Sequence, residues 1–299
     1  MATNRPITDL LARSEPVISV EFFPPKDEAS GEALLQTAQQ LKETVNPDFV
    51  SITYGAGGTT RDRTFRYACS LKDDLRFQVM PHLTCVGSSK DELREIIGQF
   101  RDAGFCNIMA LRGDPPKGET EFKPHPDGLR YASDLIALIR ETASGFCLGC
   151  SGYPEKHPEA ASLDADIDAV KIKVDNGASF ITTQLFFDNA HYFSFVEKCR
   201  AKGIYAPVVP GLLPVLSLKQ IRRFADMCGS VLPPELEQRL TDADAQGGDD
   251  AVKQIGIDWA FQQIVELFER GAPGVHLYIL NRSESALELS RRLKAHLGK

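Results

Sequence analysis

The sequence predicts a (β/α)8 barrel of the TIM type, α/β in class and built as one domain, with extra helices between strands seven and eight. Three observations carry this expectation. Short β-branched or aromatic runs alternate with longer amphipathic stretches along nearly the whole chain, and no composition break divides them. The third is negative, because a doubly wound sheet announces itself with a Gly-rich turn after its first strand. Here that turn reads PPKDEASG, and GAGGTT after the second strand lacks the Gly-Lys-Ser/Thr of a phosphate loop.

Residues 1–15 are expected to form an N-terminal extension or helix ahead of the catalytic domain, which spans 1–299. Strands are expected near 17–23, 49–55, 77–85, 107–113, 147–154, 179–187, 206–213 and 274–281. Helical patterns fill the gaps, as at 29–43, 89–103, 131–143, 163–176, 189–202 and 283–297. Gly104, Gly177, Gly203 and Gly271 fall where helices should stop. The seventh connection is longer. It holds a helix from about 217, a second starting at Pro233-Pro234, and the polar TDADAQGGDD, expected as a mobile surface loop before a third helix.

Bulk properties exclude several classes of function. With 299 residues, 42% hydrophobic and 25% charged, the chain has an ordinary globular composition. A net charge of −7 argues against a general nucleic-acid partner. No run approaches the roughly 20 apolar residues of a membrane span, and the N-terminus lacks the apolar core of a signal peptide. Seven scattered cysteines, mostly inside apolar runs, read as reduced thiols in a cytoplasmic protein.

Strand parity then points to one end of the barrel. Ser19 and Glu21 share a face opposite Ile18, Val20 and Phe22. The split recurs for Ser51 and Thr53, His82 and Thr84, Thr182 and Gln184, and His276 and Tyr278. In strand four it sets Arg112 and Asp114 against Met109 and Leu111. The apolar parity is expected outside, under the helices, and the polar parity inside, late in the strands, where barrel enzymes build active sites. No inner strand ends in a Schiff-base lysine, and the histidines are dispersed, so no metal is expected. Cys147 and Cys150 form a CxxC whose members face opposite ways. Two carboxylates, Glu21 and Asp114, remain beside neutral donors and a few cations. That set suits proton transfer to a substrate served by a redox cofactor. A lyase or metal-dependent hydrolase using the same two carboxylates is the alternative.

The strings VEFFPPK, SITYGAGG, PHLTC, ALRGDPP, YASDL, YPEKHPEA, TQLFFD, PGLLP and YILNR occur in this order, each ending an inferred strand or opening the next helix. Together they resemble bacterial methylenetetrahydrofolate reductase in its short form, the catalytic barrel alone. The resemblance implies non-covalent FAD at the strand C-termini and reduction of 5,10-methylenetetrahydrofolate to 5-methyltetrahydrofolate. NADH or NADPH is the implied donor, with NADH favoured, in a ping-pong cycle that is reversible in principle. It also implies a homo-oligomer.

Site residues follow from the same resemblance. Glu21 is implied as the general acid toward the substrate's N10, its pKa raised by dry surroundings. Asp114 is implied between flavin and folate, stabilising an iminium cation. Gln184, Leu218, Tyr278 and Arg282 are implied folate contacts, Leu218 standing where relatives carry Phe. FAD is implied to meet Thr53, Tyr54 and Ala56, then His82, then Arg112, Gly113 and Asp114. Tyr131, Ala132 and Ser133 follow, then Tyr153, His157 and Ala160, and finally Asp166 and Lys173. Asp166 and Lys173 lie two turns apart on one helical face, where a carboxylate and a cation can point the same way. Ala169 and Ile172 stand where relatives use Asn and Arg, which removes a possible charge-assisted bond to phosphate.

Overall fold

A computed structural model of the chain describes residues 4–54, 61–115, 118 and 122–296. A short helix, α1 (Ile7–Leu11), precedes the first strand, β1 (Val17–Phe22). Then come α2 (Glu28–Thr44), β2 (Phe49–Ile52), α3 (Arg61–Asp73), β3 (Val79–Thr84), α4 (Lys90–Asp102) and β4 (Asn107–Leu111). The second half runs α5 (Ala132–Thr142), β5 (Cys147–Gly152), α6 (Leu163–Asp175), β6 (Phe180–Thr183) and α7 (Asn189–Ala201). It closes with β7 (Val208–Val209), β8 (Gly211–Leu212), α8 (Leu218–Cys228), α9 (Pro234–Glu269), β9 (Gly274–Tyr278) and α10 (Glu284–His296).

All pairings are parallel, in the order β7-β6-β5-β4-β3-β2-β1-β9-β8. β7 and β8 are two halves of one strand, interrupted at Pro210, which has no N–H to give the ladder. One half pairs with β6, the other with β9. Pro210 still accepts a bond from the His276 amide at 2.9 Å, and the sheet thereby closes into the expected barrel.

Two apolar regions follow from strand alternation. The larger lies between sheet and helices, with Val20, Ile52, Val79, Ile108, Ala110, Leu148 and Ile181 fully buried. The smaller fills the barrel floor. There Val17, Phe49, Met80, Met109, Cys147, Phe180 and Val209 point inward, and Ile7, Leu10 and Leu11 of α1 pack among them. Cys147 and Cys150 fall in different regions, as their parity requires.

Two expectations are corrected. In β4 the inward residues are Asn107, Met109 and Leu111, because Ile108 and Ala110 occupy the outer core. Arg112 and Asp114 lie beyond the strand's end, around Gly113 at φ +89°, which breaks the alternation there. The segment TDADAQGGDD is helical rather than a loop. α9 runs through it with Leu236 and Leu240 buried, and only Gly247 and Gly248 leave helical geometry. Thr241 and Asp242 are satisfied within the helix, by Glu237 O and Gln238.

Past that kink, α9 seats Gly256 directly on the chain leaving β8. A Cβ at 256 would meet Val215 O at 2.0 Å. Gly256→Ala is therefore expected to cost about 1–3 kcal/mol of stability, read as a lower urea midpoint at unchanged slope; an unchanged midpoint would mean that α9 sits elsewhere.

Candidate active site

Register gathers the polar residues of the mouth. β1 pairs with β2 and β9 so that Glu21 lies level with Ser51 and Tyr278, and Ser19 level with Phe49 and His276. Since all use the inward parity, they meet inside the barrel above its apolar floor. Asn281 fastens this corner: its side chain accepts from Phe23 N at 2.8 Å and donates to Phe23 O at 2.9 Å. The turn it occupies is strained, with Leu280 and Asn281 at φ 51° and 59°.

Glu21 is 7% exposed. The Ser51 hydroxyl donates to its Oε2 at 3.3 Å. His82 Nε2 lies 3.4 Å and His276 Nε2 3.5 Å from the same oxygen. His276 stacks on Phe49, ring centroids 5.9 Å apart. Burial pushes the Glu21 carboxyl up, but the His276 hydrogen bond, the charges of His82 and His276 and the Ser51 bond outweigh it. The carboxyl therefore sits below its ordinary value. This corrects the expectation of a raised pKa, since dry walls alone do not describe a pocket that also holds two imidazoles and a hydroxyl. Burial pushes His82 down to about 4. Its charge is absent at neutral pH.

Tyr278 donates to Thr183 O at 2.7 Å, and burial raises its pKa well above the ordinary value. Gln184 Oε1 accepts from Leu185 N at 2.8 Å. Leu218 packs into the apolar cluster of Leu213, Val215 and Ile221, so in this state it serves the seating of α8 rather than the open mouth. Arg282 and Asp114 are exposed at the rim. Asp114 lies close enough to Tyr153 and Cys228 to raise their pKa values. Arg112 forms no salt bridge with Asp114; its guanidinium forks onto Glu159 at 2.6 and 2.7 Å and lies over the Phe122 ring.

The residues expected to meet FAD form an arc from β2 to α6. Thr53 N bonds Phe22 O, and Tyr54 is buried, its hydroxyl pushed up to about 12. Ala56 lies outside the described residues. Tyr131 is exposed just before α5, which Ala132 and Ser133 open. The Tyr153 and His157 rings meet edge to face at 4.6 Å, and Ala160 O accepts from Lys156. Asp166 and Lys173 share the buried stripe of α6 as expected. Asp166 Oδ2 accepts from His157 N at 2.8 Å, and Lys173 Nζ donates to Ser151 O at 2.6 Å.

This donor set fits a polar, anionic cofactor. His82 Nε2, Thr84 Oγ1 and Thr182 Oγ1 are buried without a hydrogen-bond partner, an arrangement that costs free energy unless something binds them. Lys173, 9% exposed, has donors beyond the one that Ser151 takes. Among the described residues, no group of three or more His, Cys, Asp or Glu is arranged to hold a metal ion.

Sequence reasoning placed Glu21, His82 and Tyr278 in the mouth but named neither His276, Ser19 and Ser51 as partners of Glu21 nor Glu159 as the partner of Arg112. Their polar parity was visible; the cross-strand register that joins residues 255 positions apart was not.

Comparison with known proteins agrees with this geometry. The family model described as methylenetetrahydrofolate reductase matches residues 6–294. The 5,10-methylenetetrahydrofolate reductase of Escherichia coli (strain K12) is 38% identical, over 94% of this chain and 92% of that protein. Methylenetetrahydrofolate reductase (NADH) 1 of Arabidopsis thaliana is 35% identical, over 96% of this chain and 50% of its own length. Among solved structures, a Clostridium thermocellum protein that binds two copies of 5-methyl-5,6,7,8-tetrahydrofolic acid superposes with a TM-score of 0.66. It covers 97% of this chain at 16% identity, a likeness of fold. The chain belongs to the methylenetetrahydrofolate reductase family.

Proposed function

We propose that the chain reduces 5,10-methylenetetrahydrofolate to 5-methyltetrahydrofolate, using FAD and NADH in alternating half-reactions. The observation that carries this reading is a buried carboxylate, Glu21, bonded by the His276 imidazole and the Ser51 hydroxyl, with the His82 ring 3.4 Å away, at the mouth of a barrel of this family. FAD supplies the hydride carrier between nicotinamide and folate. Lys173 would meet its pyrophosphate, Asp166 a ribose hydroxyl, and His82, Thr84 and Thr182 the polar edge of its ring system.

Glu21 then acts on the substrate. It gives a proton to N10, the five-membered ring opens, and the cation left at N5 is the hydride acceptor. Asp114, at the rim, contributes negative charge toward that cation, while Gln184 and Arg282 orient the folate. NADH and folate occupy the mouth in turn. NADH is favoured over NADPH because no arginine cluster for a 2′-phosphate is evident in the sequence, and plant relatives carry NADH in their names. The reading extends to a homo-oligomer working in the cytoplasm. All seven cysteines are free, and no helix among the described residues is long and apolar enough to cross a membrane.

Glu21→Gln is expected to slow folate reduction by about 100- to 10,000-fold while anaerobic bleaching of the flavin by NADH stays near the wild-type rate. Undiminished folate reduction in that variant would remove the acid role. Lys173→Met keeps the buried stem and deletes the charge. It should weaken FAD binding to apoprotein by about 10- to 100-fold, the worth of one charge-assisted hydrogen bond. An unchanged dissociation constant would take Lys173 out of the cofactor site.

A further inference from the structure

The Ser19 hydroxyl lies beneath Glu21 and has one hydrogen, with two acceptors in reach, Val275 O at 3.1 Å and His276 Nδ1 at 2.8 Å. With that hydrogen on Val275 O, Ser19 accepts from Nδ1–H and keeps a proton on that nitrogen. Any proton on Nε2 makes the ring an imidazolium, and Nε2 is the nitrogen that faces Ser51 Oγ at 3.2 Å and Glu21 Oε2 at 3.5 Å. Ser51 can accept from Nε2–H while it donates to Oε2 at 3.3 Å. The layer below is mainly apolar, with Phe49 stacked on the ring and α1 packed across the end.

We propose that the acid is a pair, Glu21 and His276 sharing one proton, with His276 as the positioning residue that stores it and Ser51 as the bridge. This rests on the reading of Glu21 as the acid. With the shared proton on His276 Nε2, Glu21 is a carboxylate; Ser51 passes its own hydrogen to Oε2 and takes the one from Nε2, and Glu21 gives the proton it has received to the substrate nitrogen. Glu21 is left as a carboxylate and His276 neutral with Nδ1–H. Solvent reprotonates Nε2 through the mouth once product leaves, so each turnover consumes one solvent proton. The 3.5 Å separation is long for a direct bond, as catalytic hydrogen bonds are in ligand-free enzymes.

A shared proton is lost at a higher pH than the carboxyl alone would lose it, because each basic form of the pair stabilises the other's acidic form. The other titratable groups facing the pair are His82 on β3, Tyr278 on β9 and, behind Tyr278, Tyr153 after β5 and Cys228 ending α8. Burial keeps all four uncharged near neutrality, pushing His82 down to about 4, Cys228 up to about 11, and both tyrosines up.

Two experiments decide it. In ¹⁵N-histidine spectra of the ligand-free protein, His276 should carry its proton on Nδ1, and Ser19→Ala should move the neutral ring toward the Nε2–H form. A neutral Nε2–H ring in the wild type overturns the proposal whatever reaction the protein performs. In single turnovers of the folate half-reaction, His276→Asn should move the alkaline limb about one pH unit or more toward acid and lower the rate at pH 8 by roughly tenfold. Should that variant not fold, Ser51→Ala, which breaks the bridge, is expected to give the same displacement. An alkaline limb left in place overturns the proposal. Folate reduction undiminished by Glu21→Gln would instead overturn the reductase reading, so the two failures are separable.

Discussion

Burying a carboxylate is costly, and the geometry of the barrel mouth is shaped by the need to compensate one. An isolated buried charge costs several kcal/mol even after local relaxation. Glu21 is tolerated because neighbouring strands bring it hydrogen-bond partners, Ser51 from β2 and His276 from β9, while His82 from β3 sets a ring 3.4 Å away. Both partners depend on register. A one-residue slip of β9 against β1 would turn His276 to the outer core and take from Glu21 the imidazole that lies 3.5 Å from its Oε2. The closure of the barrel and the chemistry of its mouth are thus one requirement, met where Pro210 splits the seventh strand and still accepts from the His276 amide.

The two ends of the barrel interior differ in kind. The floor is filled by Phe49, Met80, Met109 and Phe180 and sealed by α1, whereas the mouth carries Glu21, His82, Thr84, Thr182 and Tyr278. The same inward parity of the same strands yields both layers, apolar early in the strand and polar late. That gradient sets Glu21 above an apolar layer and beneath the rim where Asp114 and Arg282 stand exposed.

Much of this was legible in the sequence because alternation is local. Ser19 with Glu21 in VISVEF, or His82 with Thr84 in MPHLT, needs only the two-residue period of a strand. The barrel followed from the eight-fold rhythm for the same reason. Reading failed where local rules end. In ALRGD the period broke because Gly113 adopts positive φ, a backbone choice that composition does not announce. TDADAQGGDD looked like a loop because its polar residues are common in turns, yet the buried Leu236 and Leu240 preceding it carry the helix onward until Gly247. The lowered pKa of Glu21 was hidden for a different reason. Desolvation can be guessed from a strand, but a histidine aligned with it across the barrel seam depends on closure, and the Arg112–Glu159 pair likewise joins two loops that only the fold brings together.

The central claim is that Glu21 reaches the folate nitrogen from inside this polar layer. Its most direct test is a crystal structure of the protein with FAD and bound folate. A Glu21 oxygen within about 2.6–3.2 Å of N10, or joined to it through one water, with His276 and Ser51 still gathered behind it, is the predicted result. Folate seated with N10 out of reach of that carboxyl, and Glu21 turned toward bulk water, would contradict the account.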